Sequence, residues 1–421
     1  MNKLKNKALA ILRWSEKYTK TDMVYLAKGG TWGMVSQISV ALMTFGLTIA
    51  FAHLVPKETY GQYKYILSIV SLLGTLTLSG IGMATLQSIS RGYEGTLGYA
   101  FWQNIKWSVF FFSGAGIISI YYFLQGNLVL GMSMLVVGCL WPFFNSTNLY
   151  NQLLIAKKDF RRVTIYFDIL GNLVPYLALF ITMFFTKNPL WFVIVYIISN
   201  TVVGLISYKK IISIYKPNKK TDPEMMGYSK HLSFMGIIMG IADNLDQVLV
   251  FHYVGASQLA IYNFAIAIPD QIKSPIKNIA NLLFPKFAKR TDADIRYGMK
   301  NKFFILFIMS IILVTAYIFI APFIFHIFFP KYSESIIYSQ IFSISLLWII
   351  SIPANTYLNA KKKIKELYIV SMFGSVLQII ILFIGVIQWG LLGLIIARVA
   401  IRLIWGIMSI LLYIKLPVKT T

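Results

Sequence analysis

The sequence predicts an all-α integral membrane protein of about twelve transmembrane helices in two six-helix lobes, and three observations carry that prediction. Of 421 residues, 57% are apolar and only 13% are charged, against about 45–50% and about 25% in soluble domains. Apolar runs long enough to cross a bilayer recur along the chain. Lys and Arg gather on alternate sides of those runs. At roughly 20 residues per crossing, twelve helices use about 240 positions and leave loops averaging about 14, too short for a folded extramembrane domain.

Spans are expected near 29–52, 63–85, 104–124, 128–148, 166–186, 190–208, 232–253, 258–284, 303–326, 336–359, 367–388 and 390–413. Period-2 alternation is absent, which favours a helical bundle over a barrel. The first apolar patch, Ala8–Leu12, is short and is followed by Arg13, Glu16 and Lys17, so no cleavable secretory signal is expected. Residues 1–28 hold seven Lys and Arg and two acids. They read as a basic cytoplasmic segment, either lying on anionic headgroups or simply solvated.

The charge pattern fixes orientation. On the map above, 31 of the 39 Lys and Arg fall on the N-terminal side, including KKDFRR (157–162), the 209–230 connection and KKKIK (361–365). The opposite loops hold Lys57, Lys64, Lys187 and Lys331. By the positive-inside rule both termini are expected in the cytoplasm; the membrane expected is the inner one of a bacterium or archaeon. The net charge of +24 is thereby a matter of topology and headgroup attraction, and nucleic acid is not an expected partner.

The chain also repeats. A shift of 199 residues sets HLVPKETYGQYKYI (53–66) on HYVGASQLAIYNFA (252–265), pairing His53 with His252 and Tyr63 with Tyr262, and puts Arg91 on Arg290. A shift of 204 sets NQLLIAKK (151–158) on NTYLNAKK (355–362). The shift spans an even number of crossings, so the halves share an orientation and a pseudo-two-fold along the membrane normal is expected. The organisation predicted is a basic segment (1–28), an N-terminal lobe (29–208), a cytoplasmic linker (209–231), a C-terminal lobe (232–413) and a tail (414–421).

The stretches AKGGTWGMVSQISV, HLVPKETYGQYKYI, LTLSGIGMATLQSISRG and ADNLDQVLVFHYVGASQLAIYNFAIAIPDQI resemble the Wzx-like polysaccharide, or lipid-linked oligosaccharide, flippases of the multidrug/oligosaccharidyl-lipid/polysaccharide (MOP) exporter superfamily, along essentially the whole chain. That resemblance implies a MATE-like fold with a V-shaped central cavity and alternating access. It implies translocation of a polyprenyl-pyrophosphate-linked oligosaccharide repeat unit for surface polysaccharide: O-antigen, capsule or exopolysaccharide. It also implies association with a polymerase or other glycan-assembly proteins, alongside contact with membrane lipids.

Charges inside spans cost about 2.5–3.5 kcal/mol each on insertion scales and mark candidate sites. Asp243 and Asp246 share a face of the seventh span. Asp270, Lys273 and Lys277 follow an i, i+3, i+7 pattern in the eighth, flanked by Pro269 and Pro275. Arg398 and Arg402 lie one turn apart in the twelfth. On one reading Lys273, Lys277, Arg398 and Arg402 line the cavity and take the pyrophosphate. On the other, Asp243, Asp246 and Asp270 pair with them and fasten the helices; the same carboxylates could bind a coupling Na⁺ or proton. Gln37, Asn145 and Asn148 could meet sugar hydroxyls or serve as ordinary helix contacts.

No catalytic residues, metal site or cofactor are expected. Four scattered histidines and the single Cys139 give neither zinc spacing nor a nucleophile pair, no Walker motif occurs, and Asp292-Ala-Asp294 lies in a short loop without the α/β domain a nucleotide-sugar site needs. Two rival functions share these features. An ion-coupled multidrug or cation antiporter would favour an acidic cavity. A polytopic glycan polymerase or ligase would need a sizeable outer loop.

Overall fold

The computed structural model describes residues 23–289 and 291–416, with side chains from Gly30 onward except within 273–283, 285–286, 288–289 and at 293. Residues 1–22, Arg290 and 417–421 lie outside it, and with them most of the expected basic segment and of the tail.

All twelve expected spans are helical. We number them α1 (Met23–Leu54), α2 (Lys57–Thr75 and, past a break, Ile81–Ser90), α3 (Thr96–Leu124), α4 (Leu128–Ala156), α5 (Phe160–Phe185), α6 (Pro189–Tyr215), α7 (Met225–Tyr253), α8 (Ala256–Lys289), α9 (Asp292–Phe328), α10 (Ser335–Ala360), α11 (364–388) and α12 (391–415). The last two follow one another across a sharp turn in which Gly390 has φ +56°, a left-handed conformation that glycine adopts without the clash a Cβ would bring. Among the described residues, nine helical stretches are long and apolar enough to cross a membrane, and the last of them holds both α11 and α12. The remaining two of the twelve are α2, which is broken, and α8, which carries Asp270, Lys273 and Lys277.

Large apolar side chains stay exposed on outward stripes, as in Phe319, Phe323 and Ile327 of α9. In water such a surface would be a liability; in lipid it is the solvent-facing side. Several helices depart locally from α geometry. Residues Val163–Leu170 of α5 and Ile369–Phe373 of α11 are π-helical, and Ile344–Ser351 of α10 is 3-10, ending at Pro353. The prolines at 142 and 175 sit inside continuous helices.

The internal repeat is visible in backbone conformation. Lys158 and Lys362, matched by the 204-residue shift, both adopt positive φ, +59° and +52°, at the end of their helices. Each is followed by a short α turn that passes into a π segment. Beside them, Glu94 pairs with Lys157 in the first half and Asp292 with Lys361 (3.6 Å) in the second.

Packing divides the chain into two compact units. The first holds residues 23–48, 76–186 and 190–234; the second holds 49–75, 187–189 and 235–416. The units differ from the two sequence halves in that 49–75 and 187–189 group with the second half and 209–234 with the first. The grouping of 49–75 has a packing cause within the second unit. The start of α2 lies so close to α8 that a Cβ on Gly61 would fall 1.8 Å from the Ala256 carbonyl oxygen. Tyr65 stacks on Phe251 at 3.8 Å, and Tyr60 packs on Phe264 at 5.2 Å.

The expected linker 209–231 is mostly helix: α6 continues to Tyr215 and α7 begins at Met225. The true connection, 216–224, is tied down within the first unit. Buried Asp222 accepts a hydrogen bond from Ser88 Oγ (2.7 Å), while its own N–H donates to Thr96 Oγ1 (3.0 Å). The Asn218 N–H donates to Glu94 Oε2 at 3.1 Å and its side-chain amide to the Gly92 carbonyl at 2.9 Å. The hydrogen bond from Lys157 holds the Glu94 carboxyl below the usual carboxylate range, against the opposing effect of its partial burial. Next to this clamp burial acts to raise Asp159, but Tyr215 and Arg162 outweigh it and keep that carboxyl low as well.

Candidate functional site

The second unit contains an intramembrane charge network built by α7, α8, α10 and α12. Asp246 is buried, with 1% of its surface exposed, and both oxygens are engaged. Its Oδ1 accepts from the Gln247 N–H at 2.8 Å. Its Oδ2 accepts from the hydroxyl of Tyr262 on α8 and lies 3.1 Å from Arg398 Nη2 on α12. Tyr262 is fully enclosed. Asp243, one turn back along α7, and Asp270 also act electrostatically on Arg398. The buried Nε of Arg398 has no hydrogen-bond partner among the described residues.

One turn further along α12, Arg402 is held from three sides. Its Nη1 donates to Ser345 Oγ at 3.0 Å, and its guanidinium carbon lies 4.5 Å from the centre of the Phe342 ring. Nη2 approaches Asp270 Oδ1 at 2.7 Å. That last contact is close without being aligned as a hydrogen bond, since Asp270 Oδ1 finds no bond of acceptable angle. The Asp270 side chain is 36% exposed, against 14% for Arg402.

Depth separates the two pairs. At 1.5 Å per residue, Asp246 and Arg398 each lie about 10 Å from the end of their helix formed by Tyr253 and residue 391, while Arg402 lies about 16 Å in and Asp270 about 21 Å from the Ala256 end of α8. Asp270 thus sits at mid-helix, facing an arginine with more than a third of its side chain exposed. α8 carries it next to Pro269, which has no N–H to give back to the helix.

Of the residues expected from sequence, the structure thus brings Asp246, Asp270, Arg398 and Arg402 into one network, with Asp243 beside it. Lys273 and Lys277 fall in α8 as expected, but their side chains lie outside the described residues. Gln37, Asn145 and Asn148 belong to the other unit. Gln37 is exposed on α1; Asn145 donates to Asn104 Oδ1 at 3.4 Å, and Asn148 turns back to the Phe144 carbonyl of its own helix. Three participants in the network were not legible as such in the sequence, Tyr262, Ser345 and Phe342, nor was the fully buried Asn104 that meets Asn145 in the other unit. Tyr262 alone had left a trace, as the repeat partner of Tyr63.

The helices make this a multi-pass membrane protein whose fold is the one seen in solved transporters of the MOP superfamily. The chain aligns with a multidrug resistance MATE family transporter of that superfamily in an inward-facing conformation (TM-score 0.67, 13% identity, 90% of this chain and 97% of that one). It aligns comparably with the lipid II flippase MurJ in an inward closed conformation (TM-score 0.66, 13% identity, 93% and 88%). A MOP superfamily transporter from Pyrococcus furiosus, described as having a binding pocket of reversed polarity, gives a TM-score of 0.59 at 13% identity over 93% and 94%. No curated protein matches the sequence. Residues 50–302 match the family described as polysaccharide biosynthesis protein, and the chain belongs to that family.

Proposed function

We propose that the protein is a flippase that moves polyprenyl-pyrophosphate-linked oligosaccharide repeat units across the cytoplasmic membrane by alternating access, for surface polysaccharide assembly. The family match over residues 50–302 carries this reading. It is supported by the likeness to a protein named a lipid II flippase, and by two arginines retained at mid-helix despite their insertion cost. The positive-inside count sets both termini in the cytoplasm, where the substrate is made available.

Arg402 and Arg398 suit a pyrophosphate because a guanidinium offers paired donors to phosphate oxygens. Lys273 and Lys277, on the same helix as Asp270, add charge on the path. Na⁺ or a proton is the proposed coupling ion, with Asp243 and Asp246 the candidate acceptors. Polymerase or other glycan-assembly proteins are the proposed partners. Residues Gln37, Asn145 and Asn148 are the candidate sugar contacts in the other unit.

The test is reconstitution. Proteoliposomes carrying the full chain and a fluorescent polyprenyl-pyrophosphate oligosaccharide are treated with a membrane-impermeant quencher. Protein-dependent exposure of the lipid from the inner leaflet supports the proposal; no difference from protein-free vesicles refutes it.

A further inference from the structure

The two ion pairs on α12 are not equivalent, and the difference separates a scaffold from a site. Asp246 has both oxygens engaged, is 1% exposed and is joined by a buried tyrosine. Removing it from Arg398 would strand two buried polar groups, the Tyr262 hydroxyl and the guanidinium. Among the described residues, Asp270 makes one ion-pair contact, poorly aligned, to Arg402, and keeps 36% of its side chain open. If Asp270 leaves, Arg402 stays in place, because Ser345 Oγ and the Phe342 ring hold it from another helix. An arginine pre-positioned by two supports and closed off by one loosely held carboxylate has the form of an anion site with an internal occupant.

We propose that Asp270 is a built-in competitor for the substrate's pyrophosphate at Arg402. With no substrate it neutralises the guanidinium; the pyrophosphate displaces it, and it returns when the headgroup departs. Arg398 keeps its pair with Asp246 and Tyr262 during this exchange at Arg402. The inference rests on the flippase reading for the identity of the headgroup but not for the existence of the anion site. Displacement has a direct benefit for transport: a site that refills itself releases its ligand without leaving a bare cation at mid-membrane. Apparent affinity is then the intrinsic affinity reduced by the fraction of time Asp270 is away. If that fraction is about one tenth, neutralising Asp270 tightens binding about tenfold.

The experiment measures binding of farnesyl pyrophosphate, and separately of inorganic pyrophosphate, to the purified full chain in detergent. The variants are Asp270→Asn, Asp270→Glu, Arg402→Gln and Asp270→Asn/Arg402→Gln. Asp270→Asn is expected to tighten binding of farnesyl pyrophosphate about tenfold, Asp270→Glu to leave it within about twofold, and Arg402→Gln to abolish the gain in the double variant. Tightening for farnesyl pyrophosphate alone marks a lipid headgroup site; tightening for both marks a general pyrophosphate site. Unchanged or weaker binding in a folded Asp270→Asn protein overturns the proposal.

A second measurement needs no variant. Labelling of wild-type Asp270 by a membrane-permeant carbodiimide, read by mass spectrometry, should rise when farnesyl pyrophosphate is added; constant or reduced labelling contradicts displacement. Transport is scored in parallel. Tighter binding in a protein that flips no lipid-linked glycan keeps the anion site and discards the flippase reading, whereas flipping without tightening does the reverse.

Discussion

Replacing Asp246 with alanine should be among the most damaging single changes in the second unit. The carboxylate is 1% exposed, and its Oδ2 serves both Tyr262 and Arg398, so its loss leaves a buried hydroxyl and a guanidinium whose Nε already lacks a partner. Breaking a buried pair from one side costs about 3–5 kcal/mol, while replacing both members with apolar groups is often neutral. The ordering is therefore specific. Asp246→Ala should lower the melting temperature strongly, and Asp246→Leu/Arg398→Met should recover most of the loss. Glu334→Ala, which breaks the open Lys57–Glu334 pair (29% and 61% exposed), should cost no more than about 1 kcal/mol. Intrinsic tryptophan fluorescence of the detergent-solubilised chain during heating reads all three. A double variant as unstable as the single one, or a single one no worse than Glu334→Ala, would refute the reasoning.

Three further outcomes are expected. Gly61→Ala should destabilise by about 1–3 kcal/mol, because its Cβ would meet the Ala256 carbonyl, whereas Gly46→Ala, with nothing within 4 Å, should be neutral or stabilising by up to about 1 kcal/mol; both are read from thermal unfolding. Lys362→Gly should stabilise by about 1 kcal/mol by relieving a positive φ of +52°, and a loss of stability would show that its side chain matters more than its backbone. The Glu94 clamp should depend on pH. Its folded-state pKa lies below the ordinary glutamate value of about 4.3, so its contribution is present above that value and is lost as pH falls through the lower, folded one. Deuterium uptake in residues 216–224 should accordingly increase only in acid, and Glu94→Gln should show that increase at pH 7.

Most spans were legible as long apolar runs, since lipid leaves the backbone no alternative to helix; among the described residues the broken α2 and the charged α8 are the exceptions. The repeat was legible from KK at 157–158 and 361–362, and the left-handed conformation of Lys158 and Lys362 gives that match a backbone basis. Sequence spacing also put Arg398 beside Arg402 and Asp243 beside Asp246, since both are intrahelical relations. It could not choose partners across helices. That Asp246 takes Arg398 while Asp270 takes Arg402 depends on helix rotation and depth, for which i, i+3 and i+4 rules carry no information. Ser345 and Phe342 were silent for the same reason, and Tyr262 showed only as the repeat partner of Tyr63. The linker 209–231 gave no sign of the clamp that Asp222, Asn218 and Glu94 build, because the groups that meet there are 124 or more residues apart.

The most direct test sets two cargoes against each other in the same proteoliposomes: a fluorescent polyprenyl-pyrophosphate oligosaccharide and a cationic dye under an imposed Na⁺ or proton gradient. Protein-dependent movement of the lipid-linked oligosaccharide, reduced in Arg402→Ala while the dye stays put, is the predicted result. Dye export with no movement of the glycan lipid would contradict it and make the protein a cation antiporter on the same fold.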